Sequence, residues 1–256
     1  MATTQHYLWA GGHFVLLLSA LKIFLSSVTF GSPSTWWYKL SFTGALLSYA
    51  IVCQKSLGTP QPNAAYLRRA LLDENVQYFL LALYWWTSKP VTFALLPYAI
   101  FSLFHALTFA RTTLMPRFLP PGPPAANGGA PTPPPLAKRL QVWVKANYDR
   151  AMSLVAYAEI LILVRVLLGA ITFQNSLLTP LIYAHFLKQR YYQSAFTRHA
   201  LATVDKKFEE LVIKRPGVPP VVGTVYERVK GVVKSWAGGV LQGGAPAAAG
   251  GNGNGR

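Results

Sequence analysis

Ala151 to Phe173 reads AMSLVAYAEILILVRVLLGAITF. The run exceeds the roughly twenty apolar residues that an α-helix needs to cross a bilayer. Glu159 and Arg165 are its only charged residues. Four more segments of this kind precede it: Tyr7 to Phe30, Trp36 to Cys53, Leu67 to Trp86 and Val91 to Ala110. The third starts amphipathic and becomes fully apolar only after Asn75. The fourth carries Pro97, which a membrane helix can absorb as a kink. A sixth, Ser176 to Tyr192, is apolar for only its first half.

Composition agrees with a chain that lives in lipid. Of 256 residues, 52% are hydrophobic and 12% charged, where a soluble domain carries about 25% charged residues. The formal net charge of +16 suits contact with anionic lipid or an acidic partner. It would also suit nucleic acid, but no recognition motif supports that partner. Cys53 is the only cysteine, which excludes an intrachain disulfide framework. No basic residue precedes the first apolar run and no small-residue cleavage site follows it, so that run is expected to stay in the membrane.

The connections are of two kinds. Short ones hold Pro33, Pro90 and Pro180; long ones hold Lys55, Arg68, Arg69, Arg111, Arg117, Lys138, Arg139, Lys145 and Arg150. The positive-inside rule puts the basic set in the cytosol. That is self-consistent if the segments pair into hairpins and both termini are cytosolic. The expected fold is an all-α, polytopic integral membrane protein of helical hairpins with C-terminal amphipathic helices. Residues 1–115 would form two hairpins, 116–137 a Pro/Gly-rich disordered linker, 138–194 a third hairpin, 195–242 cytosolic amphipathic helices and 243–256 a disordered tail. The third and sixth segments look too short to cross fully.

An ordered series of features adds a family resemblance. ALLDEN, Pro90-Val91, Pro97, FSLFHA, Glu159 and LLTPLIYAHFLKQRY together resemble the transmembrane protein 33 family, including its fungal pore-membrane branch, over roughly Leu67 to Lys214. The resemblance implies residence in the endoplasmic reticulum and nuclear envelope. It also implies roles in tubular membrane shape and in nuclear pore complex distribution or assembly, with reticulon-like and nuclear pore proteins as partners. It implies no catalytic residues. The Gly/Pro-rich linker departs from the compact animal pattern.

Candidate sites follow from residue chemistry. Glu159 and Arg165 stand about 120° apart on a helix, so each needs a partner from another segment, with Lys22 a candidate for Glu159. An interhelical clamp is one role; a proton or ion pathway, making the protein a small transporter or channel, is the alternative. Lys22 and Lys39 could also snorkel to headgroups. His105 in FSLFHA suits a buried hydrogen bond to another helix. The histidines lack metal-ligand spacing, no nucleophile–base arrangement is present, and neither an enzyme nor a cofactor is expected. Lys188, Arg190 and Arg198 alternate with Tyr191 and Tyr192, as in a basic–aromatic belt at headgroup level.

Val221 to Leu241 reads VVGTVYERVKGVVKSWAGGVL. On a helical period Val222, Val225, Tyr226, Val229, Val232, Val233, Trp236 and Val240 share one face, with Glu227, Arg228, Lys230 and Lys234 elsewhere. Its glycines cost about 1 kcal/mol each against alanine, so the helix should form best where its stripe is covered. An anionic, curved membrane would cover it. Ala200 to Arg215 is a second amphipathic candidate, and Lys206, Lys207, Lys214 and Arg215 could be read by a nuclear import receptor. The basic hairpin topology, the amphipathic tail and what the resemblance implies together point to a non-catalytic protein that shapes or senses curved membrane at the nuclear envelope, with the tail helix as peripheral anchor.

Overall fold

A computed structural model describes residues 3–29, 34–123 and 132–238. They form helices and connections, with no strand among the described residues. By contact the chain divides into two compact units, residues 1–201 and 202–256.

In the first unit α1 (Thr4–Val28) and α2 (Thr35–Leu57) pack antiparallel. Ser41 donates to Ser19 at 2.8 Å, Ser48 donates to the Trp9 carbonyl at 2.8 Å, and Gln5 meets Gln54 at 3.0 Å. Small residues set the approach. A Cβ on Gly44 would stand 2.5 Å from the Gly12 carbonyl oxygen and 2.8 Å from the Leu16 nitrogen. Lipid supplies no hydrophobic drive between helices, so close backbone contact and buried hydroxyl bonds hold such a pair.

Gly58 ends α2 with φ +72, a left-handed conformation that glycine adopts without strain. The ALLDEN stretch then breaks one helix into two. Asp73 closes α3 (Ala64–Leu72) and caps α4 (Glu74–Thr87), its carboxylate accepting from the Asn75 and Val76 nitrogens at 2.8 and 3.1 Å. A short side-chain acceptor at that position satisfies the free N–H groups of a helix start. A 3₁₀ turn (Thr92–Ala94) leads into α5 (Leu95–Phe109). Pro97 lies in the first turn of α5, where its missing N–H costs nothing, rather than in mid-helix.

A π-helical turn (Ala110–Leu114) and the short α6 (Met115–Phe118) prolong α5. After the connection, α7 runs from Pro135 to Ile171 and α8 from Leu178 to Gln193. Helix thus enters both ends of the 116–137 segment. Pro116 and Pro135 each sit in a first turn, the position where proline's fixed φ suits a helix.

Successive helices alternate in direction. Trp86 meets Thr43 at 3.1 Å while Ser56 meets Asp73 at 3.3 Å, so α4 returns along α2. The buried bond between His13 and Ser102, at 2.9 Å, and a 3.0 Å bond between Arg117 and Tyr7 run α5 back along α1. Tyr84 meets Thr179 at 2.7 Å and Trp85 meets Tyr183 at 5.9 Å, which aligns α8 against α4. The shared core includes Leu16, Tyr38, Phe42, Tyr78, Trp85, Tyr98, Ile162 and Tyr183.

Among the described residues three helical stretches are long and apolar enough to cross a membrane: Thr4–Val28, Thr92–Phe118 and Pro135–Ile171. The 37 residues of α7 extend about 55 Å, well beyond a hydrocarbon layer of about 30 Å. Its first half carries Lys138, Arg139, Lys145 and Arg150 and continues outside the apolar stretch. By contrast α4 has 14 residues and α8 has 16, about 21 and 24 Å. Both fall short of a full crossing, as their sequences suggest.

In the second unit, the end of α9 (Ala195–Phe208) passes through a π-helical turn (Glu209–Ile213). Gly217, with φ +89, turns the chain into α10 (Pro220–Gly238).

The α1–α2 contact yields an internally controlled prediction. Gly44→Leu should destabilise the detergent-solubilised protein by on the order of 1–3 kcal/mol, since overpacking forces backbones apart. Gly11→Leu should be near neutral, because nothing lies within 4 Å of a Cβ there. Equal melting temperatures for the two variants would show that the close approach does not hold the pair.

Candidate functional site

Glu159 is fully buried on α7. The Tyr78 hydroxyl of α4 donates to its Oε1, and Arg190 Nε of α8 lies 3.3 Å from the same oxygen. Arg190 Nη1 reaches Glu74 Oε2 at 3.0 Å, where Glu74 is half exposed at the rim. The guanidinium also sits 5.4 Å from the Tyr78 ring centre. Around that ring stand Tyr49, Tyr98, Phe101 and Phe186, with centroids 5.1 to 5.8 Å away. The Tyr98 hydroxyl donates to the Tyr78 carbonyl at 2.9 Å. Glu159, Arg190 and Tyr78 thus join α4, α7 and α8 at one level, and the ring packing adds α2 and α5.

Three expectations about these residues change. Lys22 is exposed on α1, and the counter-charge of Glu159 is Arg190. Arg190 itself is buried rather than part of a basic–aromatic belt. Its spacing from Tyr183, Phe186 and Leu187 places it on the inward face of α8. Arg165 is half-buried on α7 and donates to Gln174 at 2.7 Å beyond the helix end, so Glu159 and Arg165 do not share a site. Sequence reasoning missed Tyr78 and Glu74, although both follow the Asp73 cap directly.

The other belt residues divide. Tyr191 is exposed, Tyr192 and Lys188 are half-buried, and the two tyrosine rings stand 5.7 Å apart. Arg198 donates to the Tyr191 and Tyr192 carbonyls at 3.1 and 3.0 Å. It therefore caps the C-terminal end of α8, where orphan carbonyls favour a cation.

His105 is exposed, and its ring lies 4.7 Å from His13 and 5.2 Å from Trp9. The buried interhelical bond expected of it is made instead by His13, which meets Ser102 at 2.9 Å. Among the described residues no three His, Cys, Asp or Glu side chains are grouped to hold a metal.

The second unit is held by a polar latch. Tyr226 donates to Asp205 Oδ1 at 2.6 Å, Lys230 Nζ lies 2.8 Å from Asp205 Oδ2, and Lys230 donates to the Tyr226 hydroxyl at 3.1 Å. The Phe208 and Tyr226 rings lie 5.7 Å apart. Tyr226, read from sequence as part of the apolar stripe, and Lys230, read as an outer charge, therefore both face α9. They are one helical turn apart, with Gly223 on the same side. Among the described residues the remaining stripe is uncovered: Val222, Val225, Val229, Val232 and Val233 are exposed, as is Arg228 beside them. The side chains of Lys234 and Trp236, and all of Val240, lie outside the described residues. Lys214 pairs with Glu209 at 2.8 Å and Lys206 approaches Glu210 at 3.9 Å, so of the four basic residues there Lys207 and Arg215 stand outside these pairs.

Antiparallel apolar helices of spanning length, joined by a buried ionic cluster, define a polytopic helical membrane protein. The sequence profile of the family described as Transmembrane protein 33/Nucleoporin POM33 matches residues 1–238, and the chain belongs to that family. It is 34% identical to Nucleoporin POM33 of Chaetomium thermophilum, covering 90% of this chain and 85% of the relative. Identity is 31% to Tetra-spanning protein 1 of Schizosaccharomyces pombe, over 90% and 83% of the two chains. Human Transmembrane protein 33 is 28% identical over 72% of this chain and 69% of its own length. No solved structure matches.

Two predictions follow from these geometries. Glu159→Leu or Arg190→Leu alone should cost about 3–5 kcal/mol by leaving a buried charge uncompensated. The double variant should cost clearly less than the sum, read by thermal unfolding in detergent. Single variants that melt like the parent would rule out a clamp.

The second concerns pH. Lys214 holds Glu209 below its ordinary value of 4.5, so this contribution is complete above that value and lost as pH falls through the folded one. Glu209 raises Lys214, and Asp205 raises Lys230, above their ordinary 10.5. Their contribution is complete below that value and lost as pH rises through the folded ones. Asp205 likewise raises Tyr226, in the same alkaline sense. Spin labels on α9 and α10, in a Cys53→Ser background, should therefore give their narrowest distance distribution between these limits. A distribution equally narrow in acid and in alkali would show that the latch is not ionic.

Proposed function

We propose that this protein is a non-catalytic membrane protein of the endoplasmic reticulum and nuclear envelope. On this reading it shapes or senses curved membrane and supports the distribution or assembly of nuclear pore complexes. Relatives named as a nucleoporin and as transmembrane protein 33 support the location. The observation that carries the membrane role is the exposed valine stripe of α10, which no described residue of its own unit covers. Valine side chains are short, so such a face suits the boundary between headgroups and acyl chains rather than deep insertion. Arg228 beside the stripe would favour an anionic leaflet.

The alternating helices support the orientation. Residues 58–63, 119–123 and 132–134 and the end of α8 share one end of the bundle, with Lys55, Arg68, Arg69, Arg111, Arg117, Lys138 and Arg139 near it. The positive-inside rule assigns that end, and with it both termini, to the cytosol. Anionic, curved lipid is the primary partner; nuclear pore and reticulon-like proteins are the protein partners of this reading. A nuclear import receptor would read the cations of the second unit, among which Lys207 and Arg215 lie outside the described ion pairs.

The Glu159 cluster acts as a structural clamp here, its charge neutralised by Arg190 within hydrogen-bonding reach. Val229→Asp with Val233→Asp should lower nuclear-envelope enrichment of the full chain in cells while leaving it in the membrane fraction. An unchanged distribution would remove the tail from this account.

A further inference from the structure

The segment between α2 and α4 carries a surface that neither the clamp nor the tail uses. Helix α3, Ala64–Leu72, is held at the bundle end by three polar contacts. Arg69 donates to the Leu57 carbonyl at 2.6 Å. The Leu71 carbonyl accepts from Gln77 at 2.9 Å and the Leu72 carbonyl from Gln193 at 2.8 Å. Asn63 caps its start, accepting from the Tyr66 nitrogen at 2.7 Å. None of these contacts involves the side chains of Leu67, Leu71 or Leu72, which are 59%, 52% and 54% exposed. Tyr66 and Ala70 are half-buried and mark the side turned to the bundle. Leu67 and Leu71, one turn apart, lie on the adjoining side.

The level of this helix is set by its neighbours. It hangs from Leu57, the last residue of α2. The Gln5–Gln54 and Arg117–Tyr7 contacts put that end level with the start of α1 and the end of Thr92–Phe118, two helices long enough to cross a hydrocarbon layer. A short helix fixed at that end, with two leucines turned away from the protein, lies where apolar belt gives way to headgroups. Its charge has one sign. Lys55, Arg68 and Arg69 surround it, and no acidic residue falls between Leu57 and Leu72. The two acids that follow are engaged within the bundle: Asp73 by the α4 start and Ser56, and Glu74 by Arg190. Arg68 is exposed and has no such neighbour.

We propose that α3 is an in-plane lipid-binding helix, with Leu67 and Leu71 inserted at the headgroup boundary and Arg68 paired with an anionic phospholipid headgroup. The proposal rests only on the bundle being membrane-embedded and is independent of what the tail does. It gives the bundle an interfacial foot between its second and third long elements. Leucines in the acyl boundary and a cation near an anionic surface act in the same direction there.

The test uses the full chain in a Cys53→Ser background with one cysteine introduced as Leu67→Cys, Arg68→Cys or Leu71→Cys. Each variant is labelled with an environment-sensitive fluorophore and reconstituted into phosphatidylcholine vesicles with or without phosphatidylserine. Labels at 67 and 71 should be quenched several-fold more by a lipid bearing a headgroup-proximal nitroxide than the label at 68. Aqueous iodide should show the reverse order. Adding Arg68→Glu should lower nitroxide quenching at 71 in the phosphatidylserine vesicles to the level seen without that lipid.

Iodide access at 67 and 71 equal to that at 68 would overturn the proposal. So would shielding from both quenchers, which would mean that protein, such as a second copy of this chain, covers the face. Quenching at 71 that ignores both phosphatidylserine and Arg68→Glu would overturn the headgroup pairing. Val229→Asp with Val233→Asp should leave all three labels unchanged, which separates failure of this proposal from failure of the tail reading.

Discussion

A carboxylate held away from water inside a membrane bundle must have a partner, and Glu159 obtains two. The energetic penalty of an isolated buried charge amounts to several kcal/mol, far more than any single packing contact on α7 can offset. That requirement fixes the level at which α8 returns, because Arg190 must arrive beside Glu159. It fixes α4 as well, because Tyr78 supplies the hydroxyl and Glu74 balances the second face of the guanidinium. Tyr98 then locks α5 to the backbone of Tyr78. Loss of the carboxylate would remove the polar contacts by which Tyr78 of α4 and Arg190 of α8 hold α7.

The same level explains how two helices can be short. In hydrocarbon an unsatisfied helix end costs several kcal/mol per free group, so a helix of 14 or 16 residues should not stop inside the apolar layer. At the bundle end where α2 finishes, both helices are closed by protein. Asp73 takes two N–H groups at the start of α4, and Arg198 covers two carbonyls at the end of α8. Glu74 and Arg190, which border those ends, form the rim of the cluster. Clamp and caps are therefore one polar layer, which α7 joins through Glu159 and beside which the long stretches Thr4–Val28 and Thr92–Phe118 pass. The small-residue contact between α1 and α2 belongs to a separate mechanism, in which close backbone approach replaces ion pairing.

The three long spans and the two undersized segments are legible in hydropathy alone, because lipid imposes length on any helix that crosses it. Trp36 to Cys53 folds as α2 but is not among the described helices apolar enough to cross. The break between α3 and α4 is legible in ALLDEN as soon as Asp73 is read as a cap. Partner choice is less so. Glu159 and Arg190 are far apart in sequence, and which cation reaches the carboxylate depends on how far each helix has climbed when they meet. Arg190 was also disguised by its neighbours, since Lys188, Tyr191 and Tyr192 make the stretch look interfacial. A finer signal existed: Arg190 falls seven residues after Tyr183 and four after Phe186, on the buried side. Tyr226 and Lys230 posed the same problem in α10. Wheel position grouped the tyrosine with the valines, but a phenol with a carboxylate in reach pairs with it, and the lysine one turn on follows.

That rearrangement sharpens what α10 can do. With Tyr226 and Lys230 turned to α9, the outward face among the described stripe residues consists of five exposed valines with the cation Arg228 beside them. Such a face buries little area per residue. At about 25 cal/mol per Å² of apolar surface, each valine contributes less than a leucine or phenylalanine would at the same depth. A weakly apolar, weakly charged face binds a flat, well-packed leaflet poorly and depends on defects that expose acyl chain. The latch to Asp205 adds to that dependence, because it withholds Lys230 from the headgroups while it is closed. On the proposed reading, a weakly binding face is what would let the occupancy of α10 report membrane packing rather than membrane presence.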